Sequence, residues 1–213
     1  MVKDFHDPVF DIVFYHCESC EFIFKRELDI IDEKDEIKIY EYHNNSIEDE
    51  HYVEYFKAFL DNALFKYVSK KTAGLDFGSG PSPVLAEILN RDYNCQMEIY
   101  DLYYSPEKVY EGKTYDFVTS TEVIEHLREP LKYFNLFNSL LDVGNILGIM
   151  TLFHENSVDK FLKWHYRRDM THISFYTPKT LETIADKSGF RLVYHDDHRY
   201  AIFEKLNDIQ IIQ

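Results

Sequence analysis

A strand-like run that breaks at Gly78-Ser79-Gly80-Pro81 and resumes with helical spacing constrains this chain more than any other feature. Thr72 to Phe77 reads as a buried strand and Pro81 to Asn90 as a helix. Glycines at such a junction let backbone approach a ligand closely, and a helix start offers N–H groups with no internal partner. Asp101 follows Gly80 by 21 residues, at the tip of the next strand, Met97 to Tyr100. A carboxylate there can accept both hydroxyls of a ribose. The pieces describe an adenosine site at the carboxyl edge of an α/β sheet.

Two residues decide which adenosine ligand fits. Pro83 stands where a dinucleotide fingerprint needs its third glycine or alanine, and Asp76 puts negative charge where a pyrophosphate would lie. A carboxylate suits an ammonium group instead. S-adenosylmethionine carries an ammonium beside its carboxylate, and a sulfonium as well.

The rest of the chain alternates strand and helix signals. Tyr115 to Ser120 reads as a strand, Pro130 to Leu141 as a helix, Asp142 to Asn145 as a turn, and Ile146 to Phe153 as an apolar central strand. Thr177-Pro178 caps a helix over Lys179 to Lys187, which Gly189 ends. Arg191 to His195 and Tyr200 to Glu204 form a closing pair of strands. The expected fold is α/β, Rossmann-like, a mostly parallel sheet closed by a C-terminal antiparallel hairpin. Ahead of it, Val9 to Tyr15 and Glu21 to Lys25 suggest a small hairpin, and Ile47 to Val68 a long amphipathic helix with apolar positions at Val53, Phe56, Leu60, Leu64 and Tyr67. Residues 1–45 are read as a hairpin and lid appendage, and 46–213 as the main domain.

The succession Leu75-Asp-Phe-Gly-Ser-Gly-Pro81, Tyr100-Asp101, Tyr115-Asp-Phe-Val-Thr-Ser-Thr-Glu-Val-Ile-Glu-His126-Leu and Leu141-Asp-Val-Gly144 resembles the class I S-adenosylmethionine-dependent methyltransferases. The segment Asp169-Met-Thr-His172 to Pro178 is similar to a bacterial branch grouped with quinone-biosynthesis methyltransferases. The resemblance implies that Asp76, Gly78 and Gly80 cradle the methionine part of the cofactor, with Phe77 and Ser79 of the same turn also among the cofactor-binding residues. Asp101 would hold the ribose beside Leu102, and Thr121, Glu122 and Val123 would line the pocket. Ser82 replaces a frequent third glycine, and the interval from Asp101 to Asp116 leaves little room for the family's usual third strand and helix, so the adenine contacts do not carry over.

Methyl transfer from a sulfonium requires alignment above all, and a base only where the acceptor must lose a proton. His126, His165 and His172 are the candidate bases, with His154 a further histidine in the same region. Arg167 and Arg168 either hold an acidic acceptor or form ion pairs, Asp169 being the nearest partner in sequence. Tyr40 to Asn45 occupies a place for a lid. The formal charge of −15 argues against nucleic acid and anionic membranes, so a small-molecule acceptor, methylated on oxygen, is expected. Ten acidic and two basic residues between Glu27 and Glu50 read as a solvated face. No apolar run suits a membrane span or a leader, which points to the cytoplasm, and no feature specifies an oligomeric state. His16-Cys17-Glu-Ser-Cys20 has the spacing of half a zinc knuckle without its other half, so no metal site is expected. A nicotinamide-dependent oxidoreductase and a non-catalytic S-adenosylmethionine-binding protein are the alternatives.

Overall fold

The computed structural model describes residues 1–41, 46–68 and 73–208. Three antiparallel strands come first: β1 (Val2–Asp7), β2 (Ile12–Cys17) and β3 (Ile23–Lys25). The expected hairpin is therefore a three-stranded meander, and the chain turns around Asp11 (φ 58°) where a strand was expected. β1 escaped sequence reading because its side chains are mostly exposed and set up no alternation against a core. Helices α1 (Glu33–Tyr40) and α2 (Glu50–Asn62) follow, capped by Asp32 and Asp49, whose carboxylates accept backbone N–H groups of the first turn. The long helix ends at Asn62, and a separate single 3-10 turn over Leu64–Lys66 succeeds it.

The main sheet then builds in alternation: β4 (Ala73–Phe77), α3 (Val84–Asp92), β5 (Gln96–Tyr100), β6 (Tyr115–Thr121), α4 (Pro130–Ser139) and β7 (Leu141–Met150). After a short helix α5 (Val158–Phe161) and strand β8 (Ser174–Phe175) come α6 (Pro178–Lys187), β9 (Phe190–His195) and β10 (Tyr200–Lys205). The six-stranded order is β5-β4-β6-β7-β10-β9, with β5, β4, β6 and β7 parallel and the last two antiparallel. This is the expected parallel sheet with its closing hairpin. No strand lies between Asp101 and Tyr115 among the described residues, as that short interval requires.

Alternation along the strands divides the core between the two sheet faces. Leu75, Val118, Leu147 and Phe203 pack with Phe134 and Phe137 of α4 and Leu181 of α6. Their neighbours Phe117, Ile146 and Ile202 pack with Phe56, Phe59 and Leu60 of α2 and Ile88 of α3. Asp142 to Asn145, expected as a turn, lies inside β7, where the ladder to β6 skips from Leu141 to Ile146 and Gly144 takes φ 86°. The turn chemistry there serves a bulge rather than a reversal.

The N-terminal strands are joined to the main domain through β3, which pairs with β8. Phe14, Ile23, Phe161 and Phe175 form a third cluster beneath them. Arg167 and Asp7, 3% and 1% exposed, meet across this cluster at 2.6 Å, Nη1 to Oδ2, as a close charge contact rather than an aligned hydrogen bond. Arg167 also donates Nε to the Leu162 carbonyl at 2.9 Å. Its partner is thus Asp7 and not Asp169, and it is unavailable to an acceptor. Removing one member strands a buried charge, so Asp7→Ala should cost about 3–5 kcal/mol, read as a shift in the urea midpoint at unchanged slope.

Candidate active site

The turn after β4 starts from a backbone requirement. Gly78 has φ 87° and Gly80 φ 67°, a left-handed region that L side chains rarely occupy. A Cβ on Gly78 would also fall 2.2 Å from Cγ2 of Val123, whereas one on Gly80 would meet nothing within 4 Å. The first glycine therefore lets the turn press against the segment after β6, and the second supplies conformation alone. The Gly78 and Ser79 N–H groups donate to the Tyr100 carbonyl at 2.7 and 3.1 Å, which ties the turn to β5. Asp101, next in line, accepts from Gly80 N at 2.9 Å through Oδ2 and from Tyr103 N and Tyr104 N through Oδ1.

Asp76 is 2% exposed at the end of β4, with Thr119 Oγ1 donating to its Oδ1 at 3.0 Å. Burial raises its pKa from 3.8 to about 7; the Thr119 hydrogen bond opposes the shift and the charge of Asp101 adds to it. A carboxyl so placed is poised to ionise when a cation arrives.

Beyond β6 the chain turns sharply at Glu122 (φ 53°), whose N–H donates to the Met150 carbonyl at 2.7 Å. Its carboxylate accepts from Tyr55 at 2.6 Å and from Tyr166 at 2.9 Å. The Tyr166 hydroxyl also contacts buried Glu125. One phenolic proton cannot serve both carboxylates. Burial, then the charge of Glu122, holds Glu125 well above the usual carboxylate range. The 173–176 segment clamps this loop: Ile173 N donates to the Glu125 carbonyl at 2.8 Å, Ser174 Oγ to Leu127 O at 2.7 Å, and Tyr176 Oη to Ile124 O at 2.7 Å.

That clamp sets His126 against His172, with ring centroids 4.9 Å apart. His172 Nδ1 lies 2.8 Å from the Tyr166 carbonyl, and His126 Nδ1 lies 3.1 Å from the Thr171 carbonyl. Asp169 Oδ2 is 3.8 Å from His172 Nε2. Burial lowers the His126 pKa to about 4, with the neighbouring His172 adding to the effect.

The glycine turn, Asp76, Asp101, Glu122, His126, Asp169 and His172 open on one cavity of about 1040 Å³. Asp76, Phe77, Gly78, Ser79, Gly80, Asp101, Leu102, Thr121, Glu122 and Val123 line it, and so do His126 and His172. Sequence reading thus singled out a set that the fold gathers in one place. His165 is the exception: it is exposed on the 3-10 turn near Tyr166 and does not face the cavity. His154 is buried against His16 and Phe161, also outside it. Arg168 is exposed and does not line the cavity either.

Several wall residues had no sequence signal of their own. Tyr52 and Tyr55 sit one turn apart on the cavity face of α2, and Tyr103 and Tyr104 follow Asp101. Glu36, in the acidic run, is not simply solvated: Tyr40 and Tyr103 donate to its two carboxylate oxygens at 2.7 and 2.9 Å. Tyr40, the first residue of the expected lid, packs edge-on against His126 with centroids 5.4 Å apart. Tyr42 to Asn45, the rest of that lid, and Thr72 lie outside the described residues. Cys17 and Cys20 join no third ligating side chain among the described residues; Cys17 contacts the Ser19 hydroxyl at 3.1 Å, and that contact lowers its thiol to about 7.

A family model described as a methyltransferase domain matches residues 49–195, more than half of the chain. The chain belongs to the methyltransferase domain family. No curated protein matches it by sequence. Among solved structures it is similar to the mitomycin 7-O-methyltransferase MmcR, with a TM-score of 0.52 at 10% identity, covering 76% of this chain and 61% of that one. It is similar also to an O-methyltransferase family protein from Burkholderia thailandensis, with a TM-score of 0.51 at 15% identity over 76% and 62%. For CalO1, a methyltransferase of calicheamicin biosynthesis solved with S-adenosylhomocysteine bound, the TM-score is 0.52 at 10% identity over 72% and 55%. The chain spans about three-fifths of the length of these proteins. Family and fold together bear out the class I S-adenosylmethionine-dependent methyltransferase expected from Leu75–Pro81, Asp101 and the 115–127 segment, and set aside the nicotinamide alternative. They do not single out the quinone-biosynthesis branch.

The two glycines of this methyltransferase's turn should separate cleanly on substitution. Gly80→Ala carries backbone strain alone, about 1–2 kcal/mol. Gly78→Ala adds an overpacking cost of about 1–3 kcal/mol against Val123, so its thermal midpoint should fall further than that of Gly80→Ala.

Proposed function

We propose that this methyltransferase transfers the methyl group of S-adenosylmethionine to an oxygen of a small-molecule acceptor. The observation that carries the reading is that one cavity is lined both by the glycine turn and Asp101 and by His126 and His172. Its volume of about 1040 Å³ stands at the top of the roughly 300–1,000 Å³ that pockets for one ligand occupy, leaving space for an acceptor beside the cofactor. That space weighs against a binding-only role.

In this reading the Gly78–Gly80 turn lies against the methionine part of the cofactor, Asp76 faces the ammonium, and Asp101 exchanges its backbone partners for the ribose hydroxyls, which frees the Gly80 N–H for the ligand. Leu102, Thr121, Glu122 and Val123 complete the cofactor walls. When bound, the sulfonium supplies the activated methyl. An acceptor oxygen held in line would take that methyl as its bond to sulfur breaks, and His126 and His172 would stand beside the proton that the oxygen gives up. Alignment of oxygen and methyl is the chain's main contribution.

Among the described residues, carboxyl groups outnumber cations on the cavity wall by eight to one, Arg128 being the single basic liner apart from histidine, and Arg128 is paired with Glu27. Such a field attracts a cationic cofactor and repels phosphorylated or carboxylate acceptors. A neutral hydroxyl compound fits it, and nucleic acid does not.

Calorimetric titration with S-adenosylmethionine tests the assignment directly. Asp101→Ala should weaken binding by about tenfold or more, since a charged hydrogen-bond partner contributes roughly 1.5–3 kcal/mol; unchanged affinity would remove Asp101 from the site.

A second outcome follows from Asp76. With its pKa near 7 in the free protein, it is mostly protonated at pH 6, and an arriving ammonium favours the carboxylate. Binding at pH 6 should therefore release a proton, seen as a buffer-dependent heat, and affinity should rise several-fold between pH 6 and 7.5. Asp76→Asn should abolish both the release and the slope.

A further inference from the structure

We infer that Glu125, His126 and His172 form a site for one divalent cation of the kind that accepts mixed imidazole and carboxylate ligands, Mn2+, Fe2+, Co2+ or Zn2+. One carboxylate oxygen and one nitrogen from each ring lie within 4.8 Å of one another. Donors held at about 2.1 Å around a common cation sit roughly 3.0–3.4 Å apart, so small side-chain rotations close the set.

Three further observations point the same way. Glu125 is fully buried, no donor group among the described residues reaches its Oε2, and the group beside it, Glu122, is another carboxyl. Leaving a buried carboxyl oxygen unmatched is costly, and a cation is a matching partner. Both imidazoles, in addition, turn Nδ1 toward backbone carbonyls, those of Thr171 and Tyr166. A carbonyl only accepts, so Nδ1 carries the proton and Nε2 presents the lone pair, the tautomer in which a neutral histidine ligates through Nε2. Finally, acceptor groups crowd the place: Glu122 sits beside Glu125, and Asp169 Oδ2 lies 3.8 Å from His172 Nε2. Among the described residues no Lys or Arg lines the cavity except the already paired Arg128.

The choice of cation class follows from the ligands. Two imidazoles with one carboxylate favour a borderline transition ion over Ca2+, which prefers oxygen throughout. His126 and His172 open on the cavity, so the remaining coordination positions face the space assigned above to the acceptor. There the cation would bind the acceptor oxygen and make its proton easier to lose, to solvent water, since both imidazoles are then ligands rather than bases. This use of the site rests on the proposed methyl transfer; the site itself does not.

The test is a titration of the full chain, freed of metal with EDTA and dialysed, with Mn2+ followed by the electron paramagnetic resonance signal of the free ion. One equivalent should disappear, and Glu125→Gln and His126→Asn should each weaken binding by about tenfold or more. Because Glu125→Gln alters a buried group, His126→Asn decides if the former fails to fold. Absence of Mn2+ binding, or equal affinity in wild type and His126→Asn, would overturn the site. S-adenosylmethionine is titrated in parallel on the same samples. Cofactor binding without Mn2+ binding would leave the methyl-transfer reading standing and sink the cation site, and the converse would do the reverse.

Discussion

The contact between Gly78 and Val123 governs how the two halves of the site meet. β4 and β6 are parallel neighbours, so their carboxyl ends emerge side by side and their following loops compete for one volume. Leaving out a side chain at 78 resolves that competition, and Val123 takes the space a Cβ would fill. The glycine turn and the Glu122–His126 loop can then approach to van der Waals distance. The cavity depends on that approach, because both loops line it.

Around this contact the molecule accumulates acidity and then balances it locally. Glu36 satisfies two tyrosines, Glu122 two more, and Asp101 three backbone N–H groups. Tyrosine is well suited to the task, since it brings a large apolar ring and a single donor to a partly buried carboxylate. The abundance of tyrosine, 17 residues, thus has a specific use here. It lets a wall of carboxylates stand at a pocket without a matching set of lysines and arginines, which keeps the cavity attractive to cations.

Most of the sheet was legible because buried parallel strands are apolar throughout and their ends carry glycine, proline or a capping threonine. The capping box at Thr177 and Thr180 is a clear instance, as is the hairpin from Arg191 to Glu204. The glycine turn and Asp101, which the structure sets on one cavity, were legible for the same reason: glycine turns and a strand-tip aspartate are local signals. What stayed hidden was long-range. β1 has an exposed face and no period, Asp142 to Asn145 has turn composition yet sits in a bulge, and Arg167 finds Asp7 far away in sequence. Glu125 and His172 meet only because the 173–176 segment folds back onto the loop after β6, a contact that no local pattern announces.

The pairing of β3 with β8 sets a schedule for biosynthesis. Ile23 and Phe24 must wait for Phe175 and Ser174, about 150 residues later in the chain. Until the ribosome has delivered that segment, the first three strands present an open edge, the condition that invites wrong partners. High sequence separation of this kind also slows folding. His172 follows Asp101 by 71 residues, so the wall of the pocket that it lines is completed only after that later segment has emerged and docked on the loop after β6.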